Sequence, residues 1–264
     1  MLVRRLALAL TAVAATVAPA VVSAAPAQAA APSYVALGDS YASGLGTRGY
    51  VDDSSCKRSD AAYPRLVANQ LGYALSFQAC AGATIPTVSS GQLGALDAST
   101  SYVSVSVGGN DAGFADVLTE CATPVWAGDC DGAIDGAQAF IATTLRGRLD
   151  GLYADIASRA PSAEVVVVGY PRVFMGEDCN ALTWFSPEEQ ARLNATADQL
   201  NGVLAAAAAS RGFSFADPTN AFVGHAVCDS PEWLNGLSNP IDESYHPNAA
   251  GHASGYAPLV AALL

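Results

Sequence analysis

Positive charge is what this chain has least of: 12 Lys and Arg stand against 24 Asp and Glu in 264 residues, a formal net charge of −12. A nucleic-acid binder needs clustered basic groups to displace counterions from phosphates, and 30–264 holds no such cluster, so no nucleic-acid partner is expected. Histidine is scarcer still, with 3 residues. Scattered, and without suitably spaced carboxylates or short paired-cysteine motifs, these make no ligand set, so neither a metal nor a cofactor is expected. Linkers rich in Pro, Gly or Ser are missing too, as are internal repeats. With 51% apolar residues, 30–264 reads as one domain with a sizeable core.

The first residues are of a different kind. Arg4 and Arg5 precede an uncharged apolar run over 6–22, which ends in the small-residue pattern Ala27-Gln28-Ala29. This is the layout of a secretory signal peptide, so 1–29 is expected to be removed and the protein to be secreted and extracellular. A membrane anchor fits less well, because Pro19 interrupts the run and no basic stop-transfer cluster follows it. Without the leader, 10 basic residues face 24 acidic ones, a net charge of −14. The remaining Cys56, Cys80, Cys121, Cys130, Cys179 and Cys228 are even in number, which in an exported chain points to disulfides. Pairing them in sequence order, Cys56 with Cys80, Cys121 with Cys130 and Cys179 with Cys228, closes the shortest loops.

Hydrophobic patterning predicts strands over 34–37, 102–107 and 164–169, mostly apolar on both faces in the manner of buried parallel strands, with 213–216 as a shorter fourth candidate. Helical spacing covers 61–71, 136–159, 187–210 and 248–264. The third of these opens on Ser186-Pro187-Glu188-Glu189, a cap followed by a first-turn proline and acids near the positive end of the dipole. Strand and helix alternate, which gives an α/β fold with a parallel sheet between helical layers.

Ligands of such sheets bind beyond the carboxyl ends of the strands. Two strand ends are polar and glycine-rich: Gly38-Asp39-Ser40-Tyr41 after the first strand, and Gly108-Gly109-Asn110-Asp111 after the second. Asp39 and Ser40 would serve equally as a helix cap, and Asn110 as a turn residue. Near the far end, Glu243-Ser244-Tyr245-His246-Pro247-Asn248 puts an imidazole just before a helix, with a carboxylate three residues upstream.

These segments, with Gly82 in Ala81-Gly82-Ala83-Thr84 between them, resemble the ordered motifs of the SGNH, or GDSL, hydrolases over 34–252. The cysteines, leader and Ser-Tyr-His-Pro-Asn ending are similar to those of the family's secreted actinobacterial lipases, esterases and phospholipases. The resemblance implies a flavodoxin-like three-layer α/β/α sandwich with about five parallel strands, and a serine carboxylic-ester hydrolase. Ser40 would be the nucleophile and His246 its general base, with the N–H groups of Ser40 and Gly82 and the Asn110 amide as the oxyanion hole. In those relatives the cysteines also pair in sequence order.

Two departures stand out. Tyr41 replaces the leucine of the common motif, away from the reacting atoms. The family's aspartate three residues before the histidine is here Glu243, with Asp242 one place earlier. A carboxylate or a backbone carbonyl could equally hold the remote imidazole nitrogen, so Glu243 is an orienting acid only if it reaches the ring. His252 is expected in helix packing or solvent, and His225 on an exposed loop. The expected partner is a small-molecule or lipid ester, with a transient contact to a lipid interface and a monomeric state. The aromatics Trp126, Phe174, Trp184, Phe185 and Trp233 lean towards an acyl cleft. The alternatives are a carbohydrate O-acetylesterase and a noncatalytic secreted binding module.

Overall fold

The segment Tyr34-Val35-Ala36-Leu37 has no polar face to offer water, and it forms a strand buried on both sides. In this computed structural model, which describes residues 30–51 and 55–264, it is the second strand of a five-stranded sheet. The expected leader at 1–29 lies outside the described residues. The elements run β1 (Ser33–Gly38), α1 (Ser40–Ser43), α2 (Tyr63–Leu71), β2 (Ala74–Phe77), α3 (Ile85–Gly91), β3 (Tyr102–Ser106), α4 (Phe114–Cys121), α5 (Cys130–Phe140), α6 (Arg146–Arg159), β4 (Glu164–Val168), α7 (Pro187–Ala209), β5 (Ser214–Ala216) and α8 (Ala257–Ala261).

The sheet order is β2-β1-β3-β4-β5 and every pair is parallel. Such strands cannot be joined by hairpins, so each connection crosses a face of the sheet and brings a helix with it. Helix α2 packs with α8, and α5 and α6 pack with α7, which makes the two helical layers. The core between them includes Leu37, Val105, Leu145, Leu149, Val167 and Leu204, all fully buried. Residues Ala31–Leu264 make up one compact unit.

Four strands lie where the patterning puts them; β2 is the addition. It is an edge strand whose Leu75, Ser76 and Phe77 are only partly buried, so its sequence carries neither a run of β-branched residues nor a clean alternation. The helix expected over 136–159 begins earlier, at Cys130, and widens into π-helical turns at Ile141–Leu145. Its start is capped by Asp129, whose side chain accepts from the Gly132 N–H. Helix α7 keeps its predicted start, where Ser186 and Glu189 each accept the other's backbone N–H. The last segment is no single α-helix: Gly251–Tyr256 is π-helical, and a Cβ on Gly255 would stand 2.4 Å from the Phe222 ring that fills its place. All three disulfides follow sequence order, Cys56–Cys80, Cys121–Cys130 and Cys179–Cys228.

Candidate active site

Strands β1 and β3 lie side by side where the strand order reverses, and the crevice beyond their carboxyl ends is where an open parallel sheet binds its ligand. The chain leaves β1 through Gly38 at φ +132°, with the Ser106 backbone so near that a Cβ would fall 2.3 Å from its carbonyl oxygen. Only glycine fits. The Gln92 side chain fixes the same residue, accepting from the Gly38 N–H and donating to its carbonyl, both at 2.8 Å. Asp39 then caps α1, accepting from the Tyr41 N–H at 3.0 Å. The capping function of this motif therefore belongs to Asp39, and Ser40, first residue of α1, is left to point at His246. Its Oγ lies 2.8 Å from His246 Nε2, across 206 residues of sequence.

His246 sits on a C-terminal strap clamped to Asn235, whose N–H donates to the His246 carbonyl and whose own carbonyl accepts from the Tyr245 N–H, both at 2.9 Å. Its Nδ1 is 2.9 Å from the Ser244 carbonyl, which can only accept, so Nδ1 carries the proton and Nε2 presents a lone pair to Ser40. Burial pushes the imidazole pKa down to about 4, against the Ser244 carbonyl and Asp242, which raise it. The ring is neutral at neutral pH.

Glu243 does not hold this ring. Its buried carboxylate turns the other way, accepting from the Tyr50 hydroxyl at 2.6 Å with Arg48 3.4 Å from its second oxygen. The adjacent carbonyl does the orienting because Tyr245, at φ +60°, folds the main chain back on itself. Asp242 is also off the ring, 4.0 Å from Lys57.

The glycine and asparagine segments meet on the other side of Ser40. Asn110 Nδ2 donates to the Ala83 carbonyl at 2.9 Å, and Asp111 accepts from the Ile85 N–H at 2.8 Å, so two side chains from the end of β3 pin the 82–85 turn. Gly82 has φ +76°, which favours glycine, while a Cβ there would meet no protein atom within 4 Å. Its conformation, not crowding, sets the residue type. Among the described residues, the N–H groups of Ser40 and Gly82 donate to no protein acceptor.

Ser40, Gly82, Asn110 and His246 line a cavity of about 590 Å³. Its apolar walls come from Phe114 and Leu118 of α4, Val173, Leu200 of α7, Leu237 and Ile241. The five aromatics expected here line none of it. Phe174 and Phe185 are buried behind Tyr245, with ring centroids 5.7 Å from it. Trp233 stacks on His225 at 3.6 Å, so that histidine is half-buried and not exposed. Trp126 and Trp184 lie on the surface, 84% and 53% exposed. His252 is a packing residue: fully buried, it accepts from the Tyr63 N–H at 3.2 Å. Cys179, Cys228 and Glu232 come together, but both sulfurs are spent in a disulfide and Glu232 accepts from the Cys228 N–H.

Tyr170 was not singled out by the sequence, although it follows Gly169 directly beyond β4. It lines the cavity and donates to Asp39 at 2.5 Å, while its oxygen accepts from the Gly109 N–H at 3.3 Å. Burial holds the Asp39 carboxyl up at about 7 in spite of the Tyr170 and Tyr41 donors.

Residues 36–254 match the GDSL-like Lipase/Acylhydrolase family. The chain belongs to that family. Lipase 1 of Streptomyces coelicolor is 45% identical over 249 residues, 91% of each chain. Among solved structures, the extracellular lipase of Streptomyces rimosus is similar at 43% identity and a TM-score of 0.82, covering 89% of this chain and 100% of that one. Phospholipase A1 of Streptomyces albidoflavus matches at 43% identity and a TM-score of 0.83, with the same coverage. The GDSL acylhydrolase fold is thus present here over nearly all described residues, and Ser40, Gly82, Asn110 and His246 fall around one cavity.

Proposed function

We propose that 30–264 is the single catalytic domain of a secreted serine ester hydrolase that cleaves acyl-chain esters through an acyl-enzyme on Ser40. The observation that carries this reading is the 2.8 Å bond between Ser40 Oγ and His246 Nε2 on the wall of an apolar cavity. Ser40 attacks the ester carbonyl as Nε2 takes its proton, and the charge on the former carbonyl oxygen is met by the N–H groups of Ser40 and Gly82 and the Asn110 amide. The protonated imidazole, held at Nδ1 by the Ser244 carbonyl, then gives that proton to the leaving alcohol. A water deprotonated by Nε2 repeats the sequence on the acyl-enzyme and frees the acid. The base is oriented by backbone, which makes the pair a Ser-His dyad.

The wall of Phe114, Leu118, Val173 and Leu200 favours an acyl chain over the acetyl group of a carbohydrate deacetylase. The assembled dyad argues against a noncatalytic module. Export is supported by the leader pattern, by three disulfides, and by the extracellular lipase among the relatives. One further observation favours a phospholipid over a neutral lipid. Lys57, the single lysine of the chain, is the one Lys or Arg lining the cavity among the described residues, and its half-exposed ammonium, 4.0 Å from Asp242, would have to turn from that carboxylate to meet a phosphate.

The test is a panel of acetyl, butyryl, octanoyl and palmitoyl esters, phosphatidylcholine and acetylated xylan, run beside an organophosphorus label mapped by mass spectrometry. Longer acyl esters should be the better substrates and the label should lie on Ser40, with turnover abolished in Ser40→Ala. Preference for acetylated xylan, or a label elsewhere, sinks the reading. Lys57→Ala should slow phosphatidylcholine hydrolysis more than that of a neutral ester; an equal effect on both removes the phospholipid reading alone.

A further inference from the structure

The residue after the nucleophile touches the residue before the base. The buried Tyr41 hydroxyl donates to the Tyr245 carbonyl at 2.7 Å, across 204 residues of sequence. Its ring also packs against the imidazole, with centroids 5.2 Å apart and planes at 45°, and is braced from another side by Tyr170 at 5.1 Å. The departure from leucine at this position is therefore not neutral to the site, as its place in the motif suggests.

Tyr245 is a bulky residue at φ +60°, a conformation that persists only where the surroundings hold it. That turn is what carries the Ser244 carbonyl round to His246 Nδ1. The Asn235 clamp fixes the Tyr245 N–H and the His246 carbonyl, but leaves the peptide group between them to the Tyr41 hydroxyl. Rotation of that peptide would let the chain relax and would carry the imidazole off its carbonyl. A leucine could pack beside the ring but has nothing to donate.

We infer that Tyr41 is a positioning residue, whose hydroxyl locks the left-handed Tyr245 turn and so keeps the His246 imidazole on the Ser244 carbonyl with Nε2 facing Ser40. The inference rests on His246 being the base, and loss of turnover in Ser40→Ala and His246→Ala on the same ester tests that separately.

Tyr41→Phe removes one oxygen and keeps the ring, and Tyr41→Leu restores the common family residue. With an octanoyl ester, below the melting transition of each variant, kcat should fall about tenfold or more in both while KM changes little. The His246 Nδ1 proton resonance should broaden or shift upfield as its bond to the carbonyl weakens. In a Tyr245→Gly background a positive φ costs nothing, so there Tyr41→Phe should cost much less in kcat, even though the Tyr245 change itself alters binding. Should Tyr41→Phe fold poorly alone, Tyr41→Leu and the Tyr245→Gly pair decide the matter. An unchanged kcat and Nδ1 resonance in folded Tyr41→Phe or Tyr41→Leu, or an equal kcat loss in both Tyr245 backgrounds, overturns the inference.

Discussion

Glu243 and His246 stand three residues apart and do not touch: the carboxylate is bonded to the Tyr50 hydroxyl at 2.6 Å, and the imidazole is bonded to the carbonyl next to that carboxylate. Glu243 thus ties the 44–50 loop to the strap beneath His246. Glu243→Gln should keep kcat within about threefold, and Glu243→Ala should lower stability by about 1–3 kcal/mol as the half-buried Tyr50 hydroxyl loses its acceptor. Denaturant melts and steady-state kinetics on both variants check this; a thousandfold loss of kcat in Glu243→Gln would mean that the carboxylate acts on the ring.

The proposed oxyanion donors make the second prediction. Asn110→Ala should reduce kcat by about 10²–10³ with a small change in KM, the loss seen when one donor to a developing oxyanion is removed. Gly82→Ala keeps the N–H, and its Cβ has room, so its effect should come from the φ of +76°, at about 1–2 kcal/mol. Kinetics and melting curves separate the two: an Asn110→Ala enzyme with native kcat would exclude that amide from the oxyanion site.

Acid should act on rate and on stability at different points. With the His246 pKa near about 4, kcat/KM should hold level from neutrality to about pH 5 and fall through about 4. His246 and His252, lowered to about 4 and about 3 from an unfolded value near 6.5, supply stability that is complete above ~6.5 and is lost as pH falls through those values. Asp39, raised to about 7, has the opposite sign: its contribution is full below ~3.9 and is lost as pH rises through about 7. Asparagine can replace it as a cap. Asp39→Asn should therefore gain on wild type in denaturant midpoint as pH rises from about 4 to about 8. A constant difference across that range would refute the assignment.

The bridge between Cys56 and Cys80 ends two residues before Gly82, and the Ala81 N–H donates to the Cys56 carbonyl at 3.0 Å. Loss of this bridge should therefore cost activity as well as stability. The double variant Cys56→Ser, Cys80→Ser should lose roughly 2–4 kcal/mol and also kcat, whereas Cys121→Ser, Cys130→Ser should lose stability with less effect on rate. Equal kcat losses in the two pairs would remove the special place of the first.

What could be read in advance divides by the kind of signal. Strands β1 and β4 carry continuous apolar runs, β3 alternates Tyr and Val with buried Ser104 and Ser106, and Ser186 with Glu189 spells out the start of α7, so local chemistry alone marks them. Helix α4 went unseen because it starts at Gly113 in the left-handed conformation with no side-chain cap, in a stretch of eight residues. Yet α4 supplies Phe114 and Leu118 to the apolar wall, so the cavity's chemistry was the least legible part of the site. Ser40, Gly82, Asn110 and His246 stood out by motif and order. The group that orients the base did not, because a main-chain carbonyl has no letter of its own; only the left-handed Tyr245 brings it into play.

The dyad joins position 40 to position 246, and only the first of these hangs directly from a strand of the sheet. A polypeptide made from its N-terminus holds the hydroxyl long before it holds the imidazole. A chain ending at β5 therefore lacks the base, and the site is complete only with the final strap held by Tyr41 and Asn235.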